Sequence, residues 1–240
     1  SHSYLMQTIE ISPVKLINLD TPNSIWEELR YENKIQYFWL GRQPYQQIWD
    51  LQKQLHAKRI LGEIPDVVLL LEHNHVYTFG KNADTNHLLD SKPQNAEVIQ
   101  IDRGGEVTYH GPGQLVCYPI IDLHNYQMSI TWYMRTLENV IICCIQELGI
   151  EAKLKDGLPG VWVDDDKICA MGIRLSRWVT MHGFALNLNP DMTYFDGIIP
   201  CGIFEYGVTS LNDLEVEYEL ENIITSIVNS FSYFLSKDKN

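Results

Sequence analysis

The sequence predicts an α+β domain built on a mixed, largely antiparallel sheet with flanking helices. Three observations carry this. Three segments have helical periodicity, many short apolar runs have the length and composition of strands, and several of those runs are joined by hairpin signals. In chain order, Val14 to Leu19 is one apolar stretch, followed by the polar, turn-rich Asp20 to Ser24. Ile35 to Leu40 reads as a strand, and Pro44 then opens a helix with Tyr45, Ile48, Trp49 and Leu55 at helical spacing. Asp66 to Glu72 and Val76 to Phe79 read as strands, the first so aliphatic that it belongs at the sheet centre. Val98 to Ile101, Val107 to Tyr109 and Leu115 to Ile121 follow. Ile130 to Leu148 is a helix with Leu137, Val140, Ile141, Cys144, Ile145 and Leu148 on one stripe, and Gly149 ends it. Val161 to Val163 and Ile168 to Leu175 flank the turn Asp164-Asp165-Asp166, and Trp178 to Leu188 is a further strand. The last helix puts Leu220, Ile223, Ile224, Ile227, Val228, Phe231, Phe234 and Leu235 on a single face.

Composition narrows the class. With 240 residues, 45% hydrophobic and 20% charged, the chain can bury a core without staples. Residues 1–33 read as an N-terminal extension of unknown function, and residues 34–240 as one catalytic domain. A formal net charge of −13 argues against nucleic acid and against anionic membrane as partners. The longest aliphatic run, Val67 to Leu71, is far too short to span a bilayer. The first residues have no basic cluster followed by an apolar core, which predicts no secretory signal. Five cysteines form no paired framework, so reduced thiols and a cytoplasmic location are expected.

Chemistry is sought first among those cysteines. Cys117, Cys143, Cys144 and Cys169 all lie within apolar stripes or strands and read as small buried hydrophobes. Cys201 differs. It sits in Ile199-Pro200-Cys201-Gly202-Ile203, between a residue without a backbone N–H and one with free φ. Such a turn can project a thiol into a cleft while leaving N–H groups for an oxyanion, though a structural turn cysteine fits the same pattern. A thiol needs a partner to ionise near neutrality, and His73, His110, Lys167 and His182 are the candidates. Period-two alternation puts Lys167 on one face with Cys169 and Met171; an ion pair with the turn aspartates is the simpler reading of it. His182, between Met181 and Gly183, could equally be a core histidine. The densest polar segment is Arg103-Gly104-Gly105-Glu106-Val107-Thr108-Tyr109-His110-Gly111-Pro112-Gly113-Gln114, whose glycines imply backbone held close to a ligand. It is neither a phosphate-binding P-loop nor a dinucleotide fingerprint. His73 and His75 alternate on a strand without a carboxylate partner, so no metal site is expected.

Together these segments carry a resemblance. Arg103 to Gln114 resembles the R-G-G-x-x-T-Y-H-G-P-G-Q signature of the lipoyl(octanoyl) transferase family. The likeness continues in order through Pro159 to Val163, Lys167-Ile168-Cys169, Gly172-Ile173-Arg174, His182 to Asn187, Pro200-Cys201-Gly202 and Val208 to Leu211, covering roughly residues 34–236. His75 stands where that family often has proline. The resemblance implies the biotin/lipoate protein ligase-like fold, related to class II synthetases. It implies Cys201 as the acyl-carrying nucleophile and Lys167 as the residue that lowers its pKa, with His182 as an accessory. Substrate contacts are implied for Arg103, Gly104, Gly105, Glu106, Val107, Thr108, Tyr109 and His110, for Ala170, Met171 and Gly172, and for Gly183, Phe184 and Ala185. The implied activity moves an octanoyl group from the 4'-phosphopantetheine of octanoyl-acyl carrier protein to a lysine of lipoyl domains. Those acceptors belong to 2-oxoacid dehydrogenase complexes and the glycine cleavage H protein. Neither ATP nor a metal is expected. An ATP-dependent lipoate-protein ligase, an amidotransferase between protein substrates, and a non-catalytic lipoyl-domain binder are the alternatives.

Overall fold

The computed structural model describes residues 14–198 and 206–237. Two sheets and four α-helices form among them. The strands are β1 (Leu16–Asn18), β2 (Gln36–Gln43), β3 (Val67–His73), β4 (Val76–Phe79), β5 (Glu97–Gln100), β6 (Thr108–His110), β7 (Gln114–Ile120), β8 (Lys153–Lys155), β9 (Leu158–Val163), β10 (Asp166–Ser176), β11 (Val179–Asn187) and β12 (Gly207–Val208). The helices are α1 (Ile25–Glu28), α2 (Tyr45–Ile60), α3 (Ile130–Glu147) and α4 (Leu220–Lys237). The main sheet runs β1-β2-β3-β7-β11-β10-β9-β8, with β12 paired to β10, and a small sheet runs β5-β4-β6. Within the main sheet β1-β2, β2-β3 and β10-β12 are parallel and the remaining pairs antiparallel. The expected mixed, largely antiparallel sheet is the one observed.

Two apolar layers explain why the central strands read as unbroken aliphatic runs. Val68, Leu70, Leu115, Cys117, Phe184 and Leu186 face one core with α3 and α4. Their alternating neighbours Val67, Leu69, Leu71, Val116, Tyr118 and Ala185 face a second core with Ile48, Leu51 and Leu55 of α2. Each strand residue is therefore buried on one side or the other. Residues 14–29 join this body: β1 adds a parallel edge strand to β2, and Ile25 of α1 is fully buried in the α2 core.

Local chemistry sets the element ends. Ser129 accepts from the Trp132 N–H at the start of α3, and Gly149, at φ +83°, ends it. The turns that close β9-β10 and β10-β11 are made without glycine: Asp164 takes φ +52° in the first, and Arg177 and Trp178 take +52° and +63° in the second. The sequence expectation fails in one place. Lys167 and Cys169 do not share a face, because a register shift between them interrupts the pairing with β9. Ile168 and Cys169 both enter the α3–α4 core as a result, and Lys167 is left to face elsewhere.

Candidate active site

Lys167 lies where β10 changes partners. From Cys169 onward β10 pairs with β11, whereas at Asp166 and Lys167 it pairs with Gly207 and Val208 of β12 on one side and with β9 on the other. Strands that part at the end of a sheet leave a cleft, and a cavity of about 250 Å³ opens here. It is lined mainly by apolar side chains, among them Val107, Leu158, Met171, Phe184, Phe195, Ile198 and Val208, and Lys167 lines it too. Lys167 is only 6% exposed, and its ammonium lies 5.1 Å from the centre of the Trp162 ring. Gly160 makes room for it. At φ +126°, a Cβ there would stand 2.6 Å from the Cys169 carbonyl oxygen and 3.4 Å from Lys167 Cε. Of the turn aspartates, Asp165 pairs with Lys155 at 2.9 Å.

Most of the residues singled out from the sequence meet in this cavity. Arg103, Gly105, Glu106, Val107, Thr108, His110, Lys167, Ala170, Met171, Gly172, His182, Gly183, Phe184 and Ala185 all line it. Gly104 instead lines a neighbouring groove between the glycine-rich segment and α3. Tyr109 turns into the small-sheet core, where its hydroxyl and His75 Nδ1 share a hydrogen bond at 2.6 Å. Cys201 lies outside the described residues. The described chain on either side, at Ile198 and Val208, belongs to the cavity wall.

Arg103 works as a clip. Its guanidinium donates to the carbonyls of Thr78, Gly104 and Glu106 and to Thr78 Oγ1, at 2.8–3.1 Å. The Gly104 N–H in turn donates to the Ile173 carbonyl at 3.0 Å, laying the glycine-rich segment across β10. A buried charge is tolerated here because its donors meet oxygens in a fixed fork.

At the end of the cavity away from Lys167 the wall is a layer of hydrogen-bonded aromatics and histidines. His73 donates Nδ1–H to the Gln43 carbonyl at 2.8 Å and accepts at Nε2 from the Tyr118 hydroxyl at 2.7 Å. His110 donates Nδ1–H to Gln114 Oε1 at 2.7 Å and stacks on Tyr45. Gln114 donates onward to Asn187 Oδ1 at 2.9 Å. His182 Nε2–H donates to Asp102 Oδ1 at 2.8 Å, and Arg174 forms an ion pair with the same carboxylate. The His182 bond, reinforced by Arg174, holds Asp102 well below the usual carboxylate range. Burial pushes His73 down to about 4 and His110 down to about 3, with the neighbouring His73 adding to the effect on His110. Both rings are neutral at pH 7.

That layer makes a stability prediction. An unfolded histidine titrates near ~6.5 and these two titrate lower when folded, so between those values the unfolded state binds more protons. Their contribution is complete above the unfolded pKa and is lost as the pH falls toward 4. Unfolding free energy measured in urea should drop by a few kcal/mol between pH 7 and 4.5, at up to about 1.4 kcal/mol per pH unit for each histidine. A His73→Gln variant should show a shallower slope than the parent.

The four cysteines expected in the core are there. Burial raises the Cys143 thiol to about 11 and Cys144 to about 12, and Cys117 and Cys169 are raised as well. None can supply a thiolate at neutral pH. His73 and His75 each hydrogen-bond to a tyrosine. Sequence reasoning missed Tyr45, Tyr118, Leu158, Phe195 and Ile198 as wall residues, and Asp102 as the partner of His182. Only the aspartate carried a local hint, standing directly before the Arg-Gly-Gly run.

A sheet sandwiched by helices, with a clipped glycine-rich segment over one strand pair and a lysine at the end of an apolar cavity, defines an acyl-handling domain of the lipoate protein ligase type. The family model for the lipoyl protein ligase A/B catalytic domain matches residues 44–232. An octanoyltransferase of Gloeobacter violaceus is 51% identical over 164 residues, 68% of this chain and 73% of that one. One from Cytophaga hutchinsonii is 46% identical over 209 residues, covering 78% and 84%. The fold is similar to that of a bipartite lipoate protein ligase of Thermoplasma acidophilum, with a TM-score of 0.64 at 15% identity over 86% of this chain and 85% of that one. The chain belongs to the lipoyl protein ligase A/B family, among its octanoyltransferases, and is an acyltransferase.

Proposed function

We propose that this protein carries an octanoyl group from octanoyl-acyl carrier protein to a specific lysine of a lipoyl domain, through a thioester on Cys201. The acceptors are the lipoyl domains of 2-oxoacid dehydrogenase complexes and the glycine cleavage H protein. The observation that carries this reading is the position of Lys167: a buried cation lining an apolar cavity that Ile198 and Val208, described residues before and after the Cys201 segment, also line. A cation beside a thiol favours the thiolate, and an apolar cavity suits a hydrocarbon chain.

The steps follow from that placement. Cys201 thiolate attacks the thioester carbonyl carbon, and the tetrahedral intermediate collapses with release of the pantetheine thiolate, which takes a proton from Lys167. The acyl group now sits on Cys201 and Lys167 is neutral. The acceptor lysine attacks the new thioester while Lys167 accepts a proton from its nitrogen. Collapse forms the amide, releases Cys201 thiolate and restores the ammonium–thiolate pair. Thioester exchange conserves the activated acyl bond, so neither ATP nor a metal takes part. An amide is more stable than a thioester, which drives the second half. The thiolate chemistry requires a reducing compartment, which makes the cytoplasm its place. Among the described residues no helix is long and apolar enough to cross a membrane.

Intact-protein mass spectrometry after mixing with octanoyl-acyl carrier protein, without acceptor, tests the scheme. The expected result is one octanoyl adduct, mapped to Cys201 and discharged by added lipoyl domain. ATP-dependent transfer from free octanoate that persists after loss of Cys201 would replace the scheme with ligase chemistry.

A further inference from the structure

The cavity has a length, and its register gives the direction. His182 pairs with Ile173 across the β10-β11 ribbon, and Ile173 lies six positions along β10 from Lys167. At about 3.3 Å per residue, and with the bulge after Lys167 taking one residue out of the regular rise, this sets the two backbone positions roughly 17 Å apart. Both residues line the same cavity. The Lys167 end is bounded by the half-exposed or exposed Leu158, Pro159 and Val208, whereas Tyr45, His110, Tyr118 and His182 at the other end are all buried. The separation also takes His182 out of proton transfer at the Lys167 end: even with both side chains leaning inward, they do not reach one another.

Resting on the acyl-transfer reading, we propose that His182 is the stop that sets how long an acyl chain this protein accepts. Its side chain is fixed to an unusual degree. Its φ is +58°, in the middle of a strand, a conformation that costs free energy for any residue with a Cβ and persists only where the surroundings impose it. The surroundings do so from two sides. The His182 N–H donates to Gln52 Oε1 of α2 at 2.8 Å, and Nε2–H donates to Asp102, itself held by Arg174. Gly183, next in line, packs so close to the Cys117 carbonyl oxygen that a Cβ would collide with it. A leucine or methionine at this place would yield to a longer chain; an imidazole tethered to Asp102 on a backbone tethered to Gln52 does not.

A chain whose methyl ends just short of the ring leaves it undisturbed. One with two more methylenes must break the bond to Asp102.

The experiment uses the full chain, pantetheine thioesters of C6, C8 and C10 acyl groups, and lipoyl domain as acceptor, with product read by mass spectrometry. Wild type should lose at least about tenfold in kcat/KM from C8 to C10, since a single misfitted methylene already carries that discrimination. His182→Gly, which suits a positive φ, and His182→Ala should raise the C10-to-C8 ratio by about tenfold or more. Folded variants that keep the parental ratio, or that slow equally at every length, overturn the proposal. If neither variant folds, Asp102→Asn keeps the imidazole and removes its anchor, and an unchanged length cutoff there overturns the proposal as well. Thermal-shift titration of wild type with octanoic and decanoic acids separates the two claims. Octanoate stabilising much more than decanoate supports the stop even if no transfer is seen, and equal stabilisation counts against it even if transfer is fast.

Discussion

Replacing Cys201 by alanine should abolish octanoyl transfer, with kcat/KM for octanoyl-acyl carrier protein falling by about 10⁴-fold or more, the scale seen when a covalent nucleophile is removed. The loss belongs in kcat. Carrier docking and burial of the chain, as proposed, do not draw on the sulfur, so KM should stay within a few-fold and octanoate should still protect the protein against heat. No other residue can stand in. The four described cysteines are buried in apolar surroundings that raise their thiols, so none provides a second thiolate. Cys201→Ser should fare little better, because a hydroxyl beside one lysine ionises far less readily than a thiol. The adduct seen by mass spectrometry should vanish in both. Retention of more than about a tenth of the parental rate in Cys201→Ala, with acyl carrier protein as donor, would rule out the covalent route.

How much of this was legible beforehand depends on the range of the signal. The bounds of α3 come within a residue, because Ser129, the apolar stripe and Gly149 are all local. β3 was placed at the sheet centre from Val67 to Leu71 alone, since only a strand covered on both faces is so uniformly aliphatic. The gathering of Arg103, Lys167, Ala170 and Phe184 into one cavity came from motif order rather than from any local rule. Three things had no local trace. The two-residue β12 is defined only by its parallel pairing with Asp166 and Lys167, some 40 positions earlier. The β5-β4-β6 sheet depends on which short strands meet, and nothing in Val76 to Phe79 states that they leave the main sheet. The bulge at Lys167 overrode the alternation of β10, sending Cys169 inward to the core instead of leaving it beside the lysine. Tyr45, Tyr118 and Asp102 escaped notice for the same reason: they lie on separate elements, and only the folded register brings them to His182.

Lys167 should prove nearly as costly to lose as the cysteine, but its loss should divide differently between the two half-reactions. Lys167→Met removes the charge at similar volume, and the room left by Gly160 lets a straight apolar chain lie where the lysine did. Octanoyl transfer should fall by about 10²- to 10⁴-fold, the range for a lost acid–base group. Alkylation of Cys201 by iodoacetamide, followed against pH, should shift upward toward the ordinary thiol value of ~8.5, since the charge proposed to favour the thiolate is then gone. Lys167→Arg separates charge from proton transfer. A guanidinium keeps the thiolate favoured but does not give up its proton near neutrality. The arginine variant should therefore alkylate at nearly the parental pH and still form the octanoyl adduct, while its discharge to the lipoyl domain slows by about 10²-fold or more. Acyl-protein would accumulate in rapid-quench samples where the parent shows little. Should the arginine variant lose acylation and discharge equally, or the methionine variant leave the alkylation profile where it was, Lys167 would be a positioning residue in the cavity wall and the proton cycle assigned to it would have to pass through another group.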